Sequence, residues 1–274
     1  MQNELKICFI GGGNMAQALI GGLAGKLTAA SNIHVVDVNP DALAALSKRF
    51  GVSTSASAAE FVQSADVVVL AVKPQQMREV VRGIASHIQA QLVLSIAAGI
   101  RATDLSRWLG GHAAIVRTMP NTPALVGQGI TGMVALAGVS SHQKDTADAI
   151  LRAVGETVWI DDEQQIDAVT AISGSGPAYV FYFLEAMEQA AAELGLSAEQ
   201  GRVLAQATFL GASILASQSP EPLSVLRERV TSKGGTTYAA LASMEASGVR
   251  QAIVTALHAA AQRGAELGNE FGKD

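Results

Sequence analysis

Apolar residues along the first part of the chain fall in short blocks separated by helix-like stretches. Residues 5–10 form a brief apolar run that ends at Gly11-Gly12-Gly13. Residues 14–26 follow with Met15, Leu19 and Leu23 at four-residue spacing, which predicts a helix. Residues 33–36 predict a second strand, and Asn39-Pro40 a helix start. The stretch 66–72 is almost wholly apolar, as a parallel strand covered on both faces should be. Pro74 then opens a helix whose apolar positions are Met77, Val80, Val81, Ile84 and Ile88. Further strands are predicted at 92–96, 113–116, 130–136 and 157–160, with helices near 101–109 and 141–153. Strand–helix alternation of this kind predicts a mostly parallel, doubly wound α/β domain of the Rossmann type.

The pattern changes near residue 161. Asp162 followed by Gln165 reads as a helix N-terminus, and no convincing strand follows. Ser197-Ala198-Glu199-Gln200 has the form of a capping box. The helix it opens would bury Val203, Leu204, Ala207, Leu210 and Ile214. Ser219-Pro220-Glu221-Pro222 is a breaker, and helices are expected at 222–230, 237–247 and 249–267. The expected division is therefore a dinucleotide-binding domain at 1–161 and an all-helical domain at 162–274. The segment 178–194 is apolar nearly all round, including Tyr179, Phe181, Tyr182, Phe183 and Met187. Such a helix must be buried on every side, which predicts pairing with the same helices of a second chain.

Composition narrows the function. Aromatics make up 4% of the chain, the net charge is −5, and there is no basic block, so a nucleic-acid partner is not expected. No segment reaches the roughly 18 apolar residues of a membrane span, and the N-terminus lacks a signal layout, which predicts a cytoplasmic protein. Cys8, inside the first apolar run, is expected to be a buried and inert thiol.

Gly11-Gly12-Gly13-Asn14-Met15-Ala16 fits the G-x-G-x-x-(G/A) pattern and lies between a predicted strand and a predicted helix. Gly11 would allow the tight turn, Gly13 the approach of a pyrophosphate, and Ala16 close helix–sheet packing. Free N–H groups at the helix start, at Asn14 and Met15, would meet the anion. Asp37 ends the second strand, where an acidic residue commonly binds the adenosine ribose; its alternative role is to cap the turn at Asn39-Pro40. The absence of a nearby cation favours NADH over NADPH. Lys73-Pro74, Ala97-Ala98-Gly99 and Met119-Pro120-Asn121-Thr122-Pro123 follow successive strands. Carboxyl ends of parallel strands bind ligands, so Lys73, Pro74, Ala97 and Asn121 are candidate cofactor contacts.

The helical part adds Ser173-Gly174-Ser175-Gly176-Pro177-Ala178, where Pro177 would bend or restart a helix, and Thr231-Ser232-Lys233-Gly234-Gly235-Thr236-Thr237. Two glycines followed by hydroxyls at a helix start make a natural anion nest. An ordinary interhelical turn is the plainer reading of that segment.

Taken together, GGGNMAQALIGGL, LAVKPQ, MPNTP, ISGSGPAYV and VTSKGGTTYAAL resemble the pyrroline-5-carboxylate reductase family over nearly the whole chain. The resemblance implies a nucleotide-binding domain followed by a helical dimerisation domain, hence a homodimer or a larger oligomer built from dimers. It implies reduction of the cyclic imine Δ1-pyrroline-5-carboxylate to L-proline by NADPH or NADH. The five histidines are scattered, none with a metal-ligand partner four residues on, so no metal is expected. The resemblance also implies that Ser232, Gly234 and Gly235 cradle the substrate carboxylate and that the Thr237 hydroxyl meets the ring nitrogen, making Ser232 and Thr237 the candidate catalytic pair. That loop can come from the partner subunit. Related two-domain plans fit less well. A β-hydroxyacid dehydrogenase would need a lysine where Val180 stands, and a ketol-acid reductoisomerase a carboxylate cluster beyond Glu185 and Glu188. A nucleotide sensor would not explain the second loop.

Overall fold

The computed structural model describes residues 4–273. Its strands form one eight-stranded sheet: β1 (Ile7–Ile10), β2 (Ile33–Val36), β3 (Ser53–Ser55), β4 (Val67–Leu70), β5 (Leu92–Ser95), β6 (Ile115–Met119), β7 (Gly129–Ala135) and β8 (Gly155–Trp159). The order is β3-β2-β1-β4-β5-β6-β7-β8, parallel throughout except where β7 runs antiparallel to β6.

Side chains alternate across the pleat and build two cores. Phe9, Val35, Val69 and Leu94 face one side, under α1 (Asn14–Leu23), α2 (Pro40–Phe50) and α6 (Ser141–Arg152). Ile10, Val68, Leu70 and Val93 face the other, under α3 (Ala59–Ser64), α4 (Pro74–Ile84) and α5 (Ala102–Trp108). Helices on both faces of a mostly parallel sheet are the doubly wound arrangement expected from the sequence. Cys8 is 1% exposed, and burial pushes its thiol up to about 12, which leaves it protonated and unreactive.

β3 and α3 are additions to the sequence expectation. Ser53-Thr54-Ser55 is too short and polar to register as a strand. It is held as an edge by His34, whose Nδ1 lies 2.7 Å from Ser53 Oγ and whose Nε2 lies 2.8 Å from Ser55 Oγ. The imidazole stacks on Phe61, and burial pushes it down to about 4.

The chain divides into two compact units. One contains residues 1–175 together with 260–274, and the other residues 176–259. The expected boundary at 161/162 thus falls within the first unit. The reason is packing: α7 (Gln165–Val169) and the π-helical turn Thr170–Gly174 lie against β6 and β7, where Gly132 leaves room for Val169. A charge cluster around one buried arginine joins them. Arg117 of β6 lies 3.1 Å from Glu163 and 3.7 Å from Asp167. The end of α12 (Val249–Phe271) returns to the same unit, with Gly264 against Asp167 and Gly268 against Arg101. Arg101 donates to Asn269 Oδ1 (2.6 Å), Arg78 to the Lys273 carbonyl (2.8 Å) and Arg107 to the Gly272 carbonyl (2.7 Å).

The second unit holds α8 (Gly176–Glu193), α9 (Ala198–Gln218), α10 (Leu223–Arg229), α11 (Thr236–Ala246) and the first part of α12. The capping box at Ser197 and Gln200 is present in both directions. The face of α9 expected to be buried is open in the single chain: Val203 is 58% exposed, Leu204 56% and Leu210 64%, and Ala207 and Ile214 are exposed as well. Phe181 and Tyr182 of α8 are also exposed. Within the chain α8 and α9 meet through Ala191 against Gly201 and through the Phe183 and Phe209 rings, 6.2 Å apart, and this seam leaves Val203, Leu204 and Leu210 uncovered. Among the described residues, no helix is long and apolar enough to cross a membrane.

Candidate functional site

The sheet reverses its winding between β1 and β4, since β1 is followed by β2 and β3 on one side and by β4, β5 and β6 on the other. The crevice outside the carboxyl ends at such a point is where doubly wound sheets bind nucleotides. Gly11 occupies it with φ +106°, and a Cβ there would lie 2.6 Å from the Ala71 carbonyl at the end of β4. Only glycine meets both conditions. Gly13 is the opposite case: it is exposed, and a Cβ would meet nothing within 4 Å. It is also the N-cap of α1, with no side chain capping the helix, so the first-turn amides, including those of Asn14 and Met15, are open to an anion in front of the loop. Ala16 is 1% exposed against the sheet. These features fit a dinucleotide pyrophosphate.

Asp37 caps the turn, as its alternative role required, and it also makes a second contact. One carboxylate oxygen accepts from the Gly12 amide at 2.7 Å and the other from the Asn39 amide at 2.9 Å. It therefore caps the turn before α2 and holds the glycine loop in place. The Gly12 contact joins residues far apart in sequence, and no local motif announces it.

Lys73, Ala97 and Asn121 stand just beyond β4, β5 and β6 in turn. Lys73 is the exposed N-cap of α4 with Pro74 at its first position, and Ala97 is 5% exposed. Asn121 precedes a 3₁₀ turn over Thr122–Val126 and is 8% exposed. Its side chain is turned into the protein: Oδ1 accepts from the Ile130 amide at 3.0 Å, and Nδ2 donates to the Ser173 carbonyl at 3.1 Å. Met119 packs on Gly174, where a Cβ would collide with its methyl group. The MPNTP loop and the start of the SGSG segment are thus interlocked, a relationship spacing alone did not give.

In the helical unit, Gly234 has φ +74° and Gly235 is the N-cap of α11, again without a side-chain cap. The Gly235 amide donates to the Ser232 carbonyl at 3.0 Å, closing the turn. A Cβ on Gly235 would lie 2.7 Å from Ser232 Oγ, so the glycine makes room for that hydroxyl. Ser232 is exposed and Thr237, in the first turn of α11, is partly exposed. Uncapped first-turn amides beside two hydroxyls form a nest suited to a small carboxylate.

A family model described as pyrroline-5-carboxylate reductase dimerisation matches residues 163–267, and one described as NADP oxidoreductase, coenzyme F420-dependent, matches residues 6–99. The first begins where the sequence pattern changes, while the packing division lies at 175/176. The pyrroline-5-carboxylate reductase of Pseudomonas aeruginosa is 47% identical over 98% of both chains. That of Haemophilus influenzae is 44% identical over 99% of this chain and 100% of its own. Among solved structures, a pyrroline-5-carboxylate reductase from Coxiella burnetii superposes with a TM-score of 0.91 at 40% identity, covering 97% of this chain and 99% of that one. The Plasmodium falciparum pyrroline carboxylate reductase, solved with NADP bound, gives 0.88 at 30% identity, covering 98% and 100%. With a crevice shaped for a dinucleotide in one unit, a hydroxyl-lined nest in the other, and similarity running from end to end, this chain belongs to the pyrroline-5-carboxylate reductase family.

Proposed function

We propose that this chain reduces Δ1-pyrroline-5-carboxylate to L-proline with NADH or NADPH, the last step of proline biosynthesis, in the cytoplasm. The observation that carries the reading is the open, uncapped glycine loop at the switch point of the sheet, in a chain whose full length resembles such reductases.

In this reading Gly11, Gly13, Asn14 and Met15 hold the pyrophosphate, Asp37 faces the ribose, and Lys73, Pro74, Ala97 and Asn121 belong to the rim along the nicotinamide half. When bound, the reduced nicotinamide supplies the hydride. Ser232, Gly234 and Gly235 fix the substrate carboxylate, and Thr237 holds the ring nitrogen. A cyclic imine takes up a proton readily, and the resulting iminium carbon accepts hydride without a strong general acid. The chain's task is then orientation, holding the C=N carbon close to attack geometry. Residues 162–274 serve as the dimerisation and substrate-binding part. The exposed apolar residues of α8 and α9 support a homodimer, each of whose sites draws its nest from the partner chain.

The test is loss of reduced-nicotinamide absorbance on adding pyrroline-5-carboxylate, with hydroxyacids and ketol-acids as controls. Turnover confined to the imine supports the reading. Folded protein that oxidises neither cofactor would overturn it.

A further inference from the structure

We propose that Asn121 is a positioning residue, whose side chain locks the loop after β6 to the π-helical turn Thr170–Gly174 and so holds the nicotinamide-side rim of the sheet rigid. The inference rests on the reductase reading above and specifies how one part of that site is kept in place.

The need for the lock is written in the backbone. The α-helical donor to the Ser173 carbonyl would be residue 177, and residue 177 is proline, which has no N–H. The π turn closes instead with the Ser175 amide on the Thr170 carbonyl at 2.8 Å. Asn121 Nδ2 supplies the donor that Pro177 cannot, at 3.1 Å. Its Oδ1 takes the Ile130 amide next to the start of β7, at 3.0 Å. One almost fully buried amide thus ties together the end of β6, the start of β7 and the π turn. Met119 against Gly174 closes the same joint by packing. Both polar ends of Asn121 are committed to the protein, so its influence on a bound nicotinamide passes through the loop it anchors. Displacing a reacting group by about 1 Å can cost about 100-fold in rate, so a slack rim should show in kcat before it shows in binding.

The experiment compares Asn121→Ala and Asn121→Asp with the wild type in kcat, KM for pyrroline-5-carboxylate, NADH affinity and amide exchange of peptides covering 129–135 and 170–175. Asn121→Ala should lower kcat at least about tenfold, leave NADH affinity within about twofold, and speed exchange in both peptides. Asn121→Asp keeps the acceptor for Ile130 but sets a carboxylate oxygen against the Ser173 carbonyl. Its kcat, relative to wild type, should therefore rise as the pH is lowered and the carboxyl gains the proton it can donate. Wild-type turnover decides the reductase reading, and exchange decides the lock whether or not turnover is seen. Wild-type kcat or unchanged exchange in Asn121→Ala would overturn the proposal. So would an Asp variant that tracks the Ala variant at every pH, or loss of the native fold in both, which would make Asn121 a pillar of the fold.

Discussion

The Asp37 carboxylate accepts the Gly12 amide at 2.7 Å, so the acid at the end of β2 and the loop that would face the pyrophosphate are one rigid piece. Its second oxygen is committed to Asn39, and the adjoining Val38 is 89% exposed and carries no charge. A 2′-phosphate would meet a fixed negative charge here. NADH should be used at least as well as NADPH, and Asp37→Ser should shift the ratio of the two kcat/KM values toward NADPH. A wild-type preference for NADPH of about tenfold or more, about 1.4 kcal/mol in the transition state, would contradict this.

Thr237 lies in the first turn of α11, beside the nest formed by Ser232, Gly234 and Gly235. Thr237→Ala should leave NADH affinity unchanged and lower kcat/KM for the imine by about 5- to 150-fold, the worth of one hydrogen bond in a site. Unaltered kcat/KM would reduce the hydroxyl to a bystander at the helix start.

His34 should make stability depend on acid. Its native value of about 4 lies below the ordinary 6.5, so the unfolded chain takes up a proton that the native chain refuses. Stability is present above 6.5 and is lost as the pH falls from there toward about 4. His34→Gln should melt below wild type near neutrality, because the clasp on Ser53 and Ser55 is weakened. The gap in Tm should narrow as the medium is acidified through that window. A gap constant across it would show that the imidazole does not titrate with unfolding.

Shared sites can be tested by complementation. The space in front of Gly13 is free, so Gly13→Val should fold and block the cofactor. Purified hybrids of a Gly13→Val chain with a Thr237→Ala chain should carry one doubly damaged site and one intact site. Activity near half that of the wild-type dimer is expected. Hybrids no better than the more active parent would mean that each nest serves its own chain.

Much of the sheet was legible because its strands are nearly pure apolar runs and its glycine loop is local in sequence. β3 was not, since Ser53-Thr54-Ser55 earns its place through His34 rather than through hydrophobicity. The periodicity of α9 identified Val203, Leu204, Leu210 and Ile214 as one apolar face, but periodicity does not say which molecule covers it. The turn ahead of α11 was readable from Gly234-Gly235, whose positive φ at Gly234 and uncapped N-terminus at Gly235 the structure shows. The partners of Asn121 were not, because Ser173 lies 52 positions away and offers only a backbone carbonyl.

The last helix has a consequence for biosynthesis. Arg78 holds a carbonyl 195 residues downstream, while Arg107 and Arg101 hold groups 165 and 168 residues downstream. A chain emerging from the ribosome can pair its early strands, yet the seat for Gly264 and Gly268 stays empty until α12 is made. Contacts of such span form late and slowly. The nucleotide-binding unit therefore finishes folding only after the helical unit threaded between residues 175 and 260 has been synthesised. A chain stalled or clipped before the last turns of α12 would leave the surface around Gly99, Arg101 and Asp104 uncovered, a ready signal for quality control.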